Sequence, residues 1–383
     1  MSSHSRLNRT PALWVLYALL GLYAFFQNAI GPAVPFLRAE FHLDYTMAAL
    51  HMSVYAIGMI VAGLGGPAFI RRWGLQAALW GGQIGTLVGL TALVLAPNPW
   101  VSLLSIFFAA VAGSVSTAAI QSSVSDLAGP HRGKALMEAT MTASLTSAMA
   151  PFVLVLGTVT GTGWRTLWPV FLLALIVTAF LGFRPLSKAI SHERHSVEKK
   201  SGRLPRSFAR FWILILVGVA LEWCIGFWAT EYLRGLPGGS VGLAAAGAGT
   251  FQLAAFASRW VSSRLTGKWG EKKLLLTAVL LTGLGFPLYW SLANPFTAFL
   301  GLFLCGWGVA NFFPLALSLA IGTSEAQAPK IASFASIAAG LAILVAPLAL
   351  GALADRWSLS NALLVVPIGL LFMLGLLLFR RKG

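Results

Sequence analysis

The sequence predicts an all-α membrane protein with twelve transmembrane helices arranged as two pseudo-symmetric six-helix bundles. Three observations predict it. The chain is too apolar for water, its basic residues fall on one side of a twelve-span reading, and its halves repeat one another at a constant offset of 196 residues.

Of the 383 residues, 57% are hydrophobic and only 10% charged, with a mean hydropathy of +0.80. Soluble domains carry about 25% charged residues. The polar surface needed to solvate a globule of this size is missing, so lipid is the natural solvent. In lipid every backbone group needs a partner inside the chain, which leaves helices as the spanning element. A span takes about 20 apolar residues.

The elements follow in order. The run 12–36 comes after the basic segment "MSSHSRLNRTP". No small-residue cleavage site follows it, so it reads as a retained span rather than a signal peptide. The run 46–70 ends at "PAFIRRWGLQ", and Asn98-Pro99 parts 75–96 from 99–126. "SDLAGPHRGKA" leads into 134–160, and "GTGWRTLWPVF" into 165–187. The longest polar segment, "KAISHERHSVEKKSGRLPRSF" (188–208), reads as a cytoplasmic linker between halves at 1–187 and 209–383. The seventh run, 209–233, contains "VGVALEWCIGFWATEYL". "SRLTGKWGEK" joins 240–265 to 272–293, and Asn294-Pro295 precedes 296–322. Lys330 opens 330–353, and "GALADRWSLSNAL" leads into 358–379.

The net charge of +16 invites a nucleic-acid reading, which the distribution of charge rejects. Of the 27 Lys and Arg residues, 23 lie on the side of the termini, Arg259 included, and only Arg38, Arg165, Arg234 and Arg356 lie opposite. By the positive-inside rule both termini are cytoplasmic, in a multi-pass protein of the plasma or inner membrane. Cys224 and Cys305 sit inside apolar runs, with no disulfide framework or metal-ligand spacing. No His cluster, paired carboxylates or nucleophile constellation suggests an enzyme, and no metal or cofactor is expected.

The repeat rests on rare pairs in one register. Trp73-Gly74 recurs as Trp269-Gly270, Asn98-Pro99 as Asn294-Pro295, and Ala150-Pro151 as Ala346-Pro347, each 196 residues on. Lys134 recurs as Lys330, and Leu37-Arg38 as Leu233-Arg234, at the same offset. The halves are two copies of one six-span unit.

Several loops resemble those of the major facilitator superfamily (MFS). "GALADRWSLSNAL" is similar to its Gly-x-Leu-Ala-Asp-Arg pattern, with Gly351, Asp355 and Arg356. "SDLAGPHRGKA" resembles the loop between spans four and five, with Asp126, Arg132 and Gly133. The Gly-Trp-Arg entry to span six is present in "GTGWRTLWPVF". The resemblance covers nearly the whole chain. It implies the MFS fold, a secondary transporter working by alternating access as a monomer, and a substrate site between the halves near the midplane.

The sequence departs from the family in places. The loop between spans two and three wants an Asp three residues before Gly74, and Arg71 stands there. Arg72 is kept. In the second copy Gly267 occupies that position, ahead of Lys268 and Gly270. Arg71, Arg72, Lys268 and Lys272 then serve chiefly as topology residues, with a gating role as the alternative. Drug/proton antiporters carry Gly-x-x-x-Gly-Pro in span five, where this chain has Thr146 and Ala150 in "TSAMAPF". The Gly-Val…Glu-Trp…Gly-x-Trp pattern of the seventh span resembles members near the fucose/proton symporter branch. That branch handles monosaccharides. Its acidic position in span one is not evident, since "FFQNAIGP" offers Gln27 and Asn28.

Glu222 is the sharpest candidate. In a span 211–233 it lies about 16 Å of helix from either end. A charge at that depth costs roughly 2.5–3.5 kcal/mol on insertion scales. A carboxylate held between protonated and ionised states by access to water is what a proton-coupled carrier needs. The alternatives are a Glu that fastens span seven to a neighbour and, in a uniporter, a substrate hydrogen-bond acceptor. Gln27, Asn28, Tyr55, Gln121, Trp223, Trp228, Gln252 and Asn311 are candidates for lining a cavity, each with helix packing as the competing reading.

The remaining ionisable residues have blander expectations. Glu231, half a turn out of phase with Glu222, is expected at a surface or gate with Arg234. Arg259 is placed about one turn inside the cytoplasmic end, snorkelling or paired with Glu271 or Glu325. Glu138 is expected to pair with Arg132 or Lys134, and His51 to be a packing residue. Pro32, Pro35, Pro151, Pro314 and Pro347 are expected to bend their helices.

The partners expected are therefore a small-molecule substrate, protons and the lipid bilayer, with no nucleic acid. A sugar-like solute is favoured. Efflux of amphipathic compounds and a non-transporting membrane sensor or scaffold on the same fold are the rivals.

Overall fold

The computed structural model describes residues 8–190, 208–324 and 327–378. Most of the linker read at 188–208, and Glu325, lie outside the described residues, as do Arg6, Arg380, Arg381 and Lys382. Among the described residues every regular element is helical. Twelve helices are long and apolar enough to cross a membrane.

The helices of the first half are α1 (Pro11–Phe41), α2 (Tyr45–Trp73), α3 (Leu75–Val94), α4 (Pro99–Ala128), α5 (Arg132–Thr160) and α6 (Leu167–Ile190). The second half has α7 (Phe208–Leu233), α8 (Val241–Trp269), α9 (Glu271–Trp290), α10 (Pro295–Val309), α11 (Phe312–Ile321), α12 (Ala328–Arg356), α13 (Leu359–Ala362) and α14 (Val365–Leu378). Span ten is α10 followed by α11, and span twelve is α13 followed by α14.

The prolines behave unequally. Pro32, Pro35, Pro151 and Pro347 lie inside continuous helices. Pro314 lies just after the interruption at Ala310–Asn311 that separates α10 from α11. Proline has no N–H to give the carbonyl four residues earlier. At Pro314 that carbonyl belongs to Ala310.

The contacts divide the chain into two compact units. The first comprises Met1–Ala29, Ile57–Val153 and Trp164–Val197; the second comprises Ile30–Ala56, Leu154–Gly163 and Glu198–Gly383.

In the first unit α3 and α4 approach backbone to backbone. A Cβ added at Gly89 would fall 2.6 Å from the Cβ of Ala109 and 2.9 Å from the carbonyl oxygen of Ser105. Small residues permit this approach in lipid, where packing replaces the hydrophobic effect between helices. Hydrogen bonds fasten the remaining members. Gln83 Nε2 donates to Leu19 O at 3.0 Å, and Thr146 Oγ1 to Gly21 O at 2.9 Å. Arg9 binds Glu138 at 2.8 Å, so Glu138 takes a partner from the start of the chain rather than Arg132 or Lys134 of its own helix turn.

The second unit repeats the motif in register. A Cβ at Gly285 would fall 2.6 Å from the carbonyl oxygen of Gly301. Gly89 and Gly285, and likewise Ser105 and Gly301, are separated by 196 residues. The caps repeat as well. Asn98 and Asn294 accept from the amides of Val101 and Thr297, at 3.1 and 3.0 Å. Gly74 and Gly270 take φ values of 85° and 74°, a region open to glycine at little cost. The α7–α12 seam is held by side-chain donors: Trp212 Nε1 to Phe334 O at 2.9 Å and Trp228 Nε1 to Pro347 O at 3.3 Å.

Large apolar side chains fill the exposed surface, among them Leu64, Val159, Phe180 and Leu371. They form the lipid-facing exterior that the composition requires.

Gly89→Leu is expected to lower the thermal midpoint in detergent, because overpacking a close backbone contact costs about 1–3 kcal/mol or more. Gly81→Leu, at a glycine with nothing within 4 Å, is expected to leave it unchanged. Fluorescence-detected size-exclusion melts of the two variants check this.

Candidate functional site

The second unit contains an ion pair inside its spans. Glu222 lies on α7, about four turns from Phe208 and three from Leu233. Arg259 lies on α8, nearly three turns before its end at Trp269, rather than the single turn expected from the sequence. Arg259 Nη2 donates to Glu222 Oε1 at 3.4 Å. The partner of Arg259 is therefore Glu222 and not Glu271, whose carboxylate accepts instead from Ser318 at 3.2 Å. The side chains remain accessible, 36% for Arg259 and 22% for Glu222.

Sequence reasoning missed what holds Arg259. Its Nε donates to Ala310 O at 3.3 Å, the carbonyl to which Pro314 has no N–H to offer. The helix break thus creates an acceptor and the guanidinium fills it. The spacing of Pro314 from Ala310 was the available signal, but nothing local pointed to α8. Around the break, Asn311 Nδ2 donates to Ser258 Oγ at 2.5 Å and to Trp307 O at 3.1 Å, and Ser258 Oγ donates to Trp307 O at 2.5 Å. Asn311 is 4% exposed, and its bond to Ser258 joins span ten to α8.

The other predicted residues differ in burial and partners. In the first unit Asn28 donates to Ser147 Oγ at 3.0 Å, joining α1 to α5, and Gln27 beside it is half-buried. Gln121 is exposed. In the second unit Tyr55 is fully buried, while Gln252 and Trp223 are half-buried. Trp228 has no exposed surface; it packs edge-on against Tyr45 and Phe227. His51 is fully buried, its Nδ1 in contact with the carbonyls of Met47 and Ala48 on its own helix, as a packing residue would be.

A second charged cluster lies in the same unit. Glu231 is buried rather than at the surface, with a side chain 7% exposed. It pairs with Arg38 of α1 through Oε1 and with Arg234 through Oε2, the latter at 3.4 Å. Arg38 and Arg234 occupy equivalent places in the repeat, so two copies of one arginine converge on one carboxylate. The Arg38 guanidinium also sits 3.7 Å from the centre of the Tyr45 ring. Asp355 accepts from the Tyr45 and Thr46 amides, both at 2.8 Å, capping the start of α2 with a negative charge. Arg356 beside it is exposed.

The loop residues are simpler. Arg71, Arg72, Arg132 and Lys268 are exposed, and Asp126 is half-buried. Arg72 lies 5.6 Å from the centre of the Trp73 ring. Among the described residues no group of three or more His, Cys, Asp or Glu side chains is placed to hold a metal.

Twelve spans built from a repeated six-span unit, with one ion pair deep in the second copy, define a polytopic membrane transport protein rather than an enzyme. The chain belongs to the major facilitator superfamily: the profile described as Major Facilitator Superfamily matches residues 16–268 and, in a second match, 211–383. An uncharacterized MFS-type transporter of Yersinia pestis is 28% identical over 352 residues, covering 88% of this chain and 89% of the relative. The fold is shared with solved transporters of low identity. The nucleoside transporter NupG superposes with a TM-score of 0.73 at 15% identity, covering 97% of this chain and 99% of NupG. A D-xylose-proton symporter superposes at 0.74 with 14% identity, covering 97% and 98%. FucP, crystallised in the outward conformation, gives 0.64 at 15%, covering 97% and 99%. Its fucose:proton symport is named for the Escherichia coli protein. This chain is accordingly a multi-pass transporter that binds a small-molecule substrate.

Glu231→Gln is expected to destabilise the protein by about 3 kcal/mol, since it leaves two arginines facing each other without their carboxylate. Glu231→Asp, which keeps the charge, is expected to lose less. Denaturant melts in detergent check the order.

Proposed function

We propose that this transporter is proton-coupled and moves a small polar organic solute, sugar-like in size and hydrogen bonding, by alternating access. It does so as a monomer in the plasma or inner membrane, with both termini in the cytoplasm and residues 1–187 and 209–383 as the two moving halves. The observation that carries the reading is the Glu222–Arg259 pair inside α7 and α8.

The chemistry follows from the solvent. An isolated charge at mid-span costs roughly 2.5–3.5 kcal/mol on insertion scales. Paired, Glu222 and Arg259 neutralise each other. When a proton reaches Glu222 the carboxylate becomes a neutral acid and its hold on Arg259 weakens. The partial exposure of both groups supports access to water. A carrier that opens Glu222 first to one side and then to the other loads the proton on the first and releases it on the second.

The substrate side of the reading is supported by the notion of a sugar-sized polar solute common to the D-xylose-proton and fucose:proton symporters that share the fold. The charge asymmetry of the loops supports the orientation.

Glu222→Gln is expected to abolish accumulation driven by an imposed pH gradient while sparing counterflow exchange. Proteoliposomes containing the purified variant test this with a solute panel. Wild-type proton dependence in the variant ends the reading.

A further inference from the structure

We propose that the Arg38–Glu231 pair and the Asp355 cap on α2 form one latch, which holds this carrier shut on the side of the membrane opposite the N-terminus and parts when that side opens. The inference rests on the alternating-access part of the reading above and adds the residues that set its closed state.

The contacts of the second unit place the seam. Two segments of the first half belong to that unit, Ile30–Ala56 and Leu154–Gly163. They hold the end of α1, the start of α2 and the end of α5. Counted in spans from the N-terminus, these points follow one or five crossings. The ends of α7 and α12 follow seven and eleven, so all lie on one side. There Gly31 of α1 crosses α7 so closely that an added Cβ would fall 3.0 Å from the Phe227 carbonyl oxygen. Gly31 and Phe227 are 196 residues apart, so the crossing joins equivalent positions of the repeat. A Cβ on Gly351 of α12 would fall 2.8 Å from the Tyr45 carbonyl oxygen, and Ser53 Oγ of α2 donates to Leu344 O at 2.8 Å.

Two charged contacts span this seam. Arg38 of α1 donates to Glu231 of α7. Asp355 of α12 accepts from the amides of Tyr45 and Thr46 and from the Thr46 hydroxyl. Those amides belong to the first turn of α2, which has no partners for them within the helix, and the carboxylate sits at the positive end of the helix dipole. The repeat puts Val159 and Gly242 at the equivalents of Asp355 and Thr46. At that equivalent seam a Cβ on Gly242 would lie 2.8 Å from the Thr158 hydroxyl, with neither residue charged.

Each partner also keeps a second hold within its own half, as a contact made to part requires. Arg38 is fixed by its Nε bond to Leu43 O at 3.2 Å and by the Tyr45 ring, 3.7 Å away. Glu231 keeps Arg234, three residues on, at 3.4 Å. Helix α2 keeps Asp44, which accepts from the Met47 amide at 2.6 Å. Asp355 is exposed, so water solvates it on release. Stripping a buried charge of its partner is costly. Here separation leaves each of these groups another partner or water, and the closed and open states can differ by little.

The experiment uses full-length protein in nanodiscs with spin labels on Ala39→Cys and Asn361→Cys, exposed positions on the first-half and second-half sides of the seam. The native Cys224 and Cys305 are buried. Double electron–electron resonance reads the ratio of long to short label distances. Arg38→Gln and Asp355→Ala are each expected to raise that ratio about tenfold, the effect of losing one hydrogen bond to a charged group. The double variant is expected to raise it further. Arg234→Gln, which leaves the Arg38–Glu231 contact in place, and Arg9→Gln, in the first unit, are expected to leave the ratio unchanged. An unchanged ratio in either Arg38→Gln or Asp355→Ala overturns the inference, as does an equal rise in Arg234→Gln. If wild type shows both distances and neither latch variant shifts them, the alternating-access reading stands and this one falls. If the variants gain the long distance and wild type shows none of it, with or without D-xylose or L-fucose, the latch stands and the alternating-access reading falls.

Discussion

Lipid offers no hydrogen bonds, and that constraint governs this protein from its composition to its ion pairs. It makes every span a helix. It also means that a proline inside a span deprives a carbonyl of its donor, and the protein must deal with that locally. At Pro314 the continuous helix is given up, and Arg259 of the neighbouring helix donates to the affected carbonyl of Ala310. A basic residue nearly three turns inside α8 is thereby held in place by a backbone defect in span ten.

The same solvent makes charge expensive, so the carboxylates inside spans are paired with arginines. Glu222 with Arg259 is one such group. Glu231 with Arg38 and Arg234 is another, closed in and reinforced by the Tyr45 ring. The two differ in what they suit. A buried carboxylate shared by two arginines fixes helix ends. The Glu222–Arg259 pair is instead partly accessible and lies beside the break in span ten.

The internal repeat separates what the two halves share from what one half has alone. Structural parts recur in register: the Asn98 and Asn294 caps, the left-handed Gly74 and Gly270, and the close glycine contacts of α3–α4 and α9–α10. These are demands of folding in lipid, equal for both halves. The Glu222–Arg259 pair has no counterpart, since Phe26 and Gly63 stand at the equivalent positions.

The sequence by itself determined the twelve spans, the repeat, the family and the depth of Glu222. These depend on hydropathy, on turn and cap residues, and on distance along a helix, all local properties. The tertiary structure decided the partners. Glu222 meets a residue 37 positions away, Glu138 one 129 away, and Glu231 one 193 away. Local reasoning assigns Glu138 to Arg132 or Lys134 and Arg259 to Glu271 or Glu325, and puts Glu231 at a surface or gate with Arg234. A charge in an apolar medium pairs with whichever opposite charge helix packing brings within reach, and packing is a property of the folded chain. Trp228 shows the same limit: an aromatic ring beside a buried acid reads as a cavity wall, yet the fold turns it into the α7–α12 seam, where its N–H meets Pro347. Periodicity tells which helix a side chain is on; only the neighbouring helices decide what it faces.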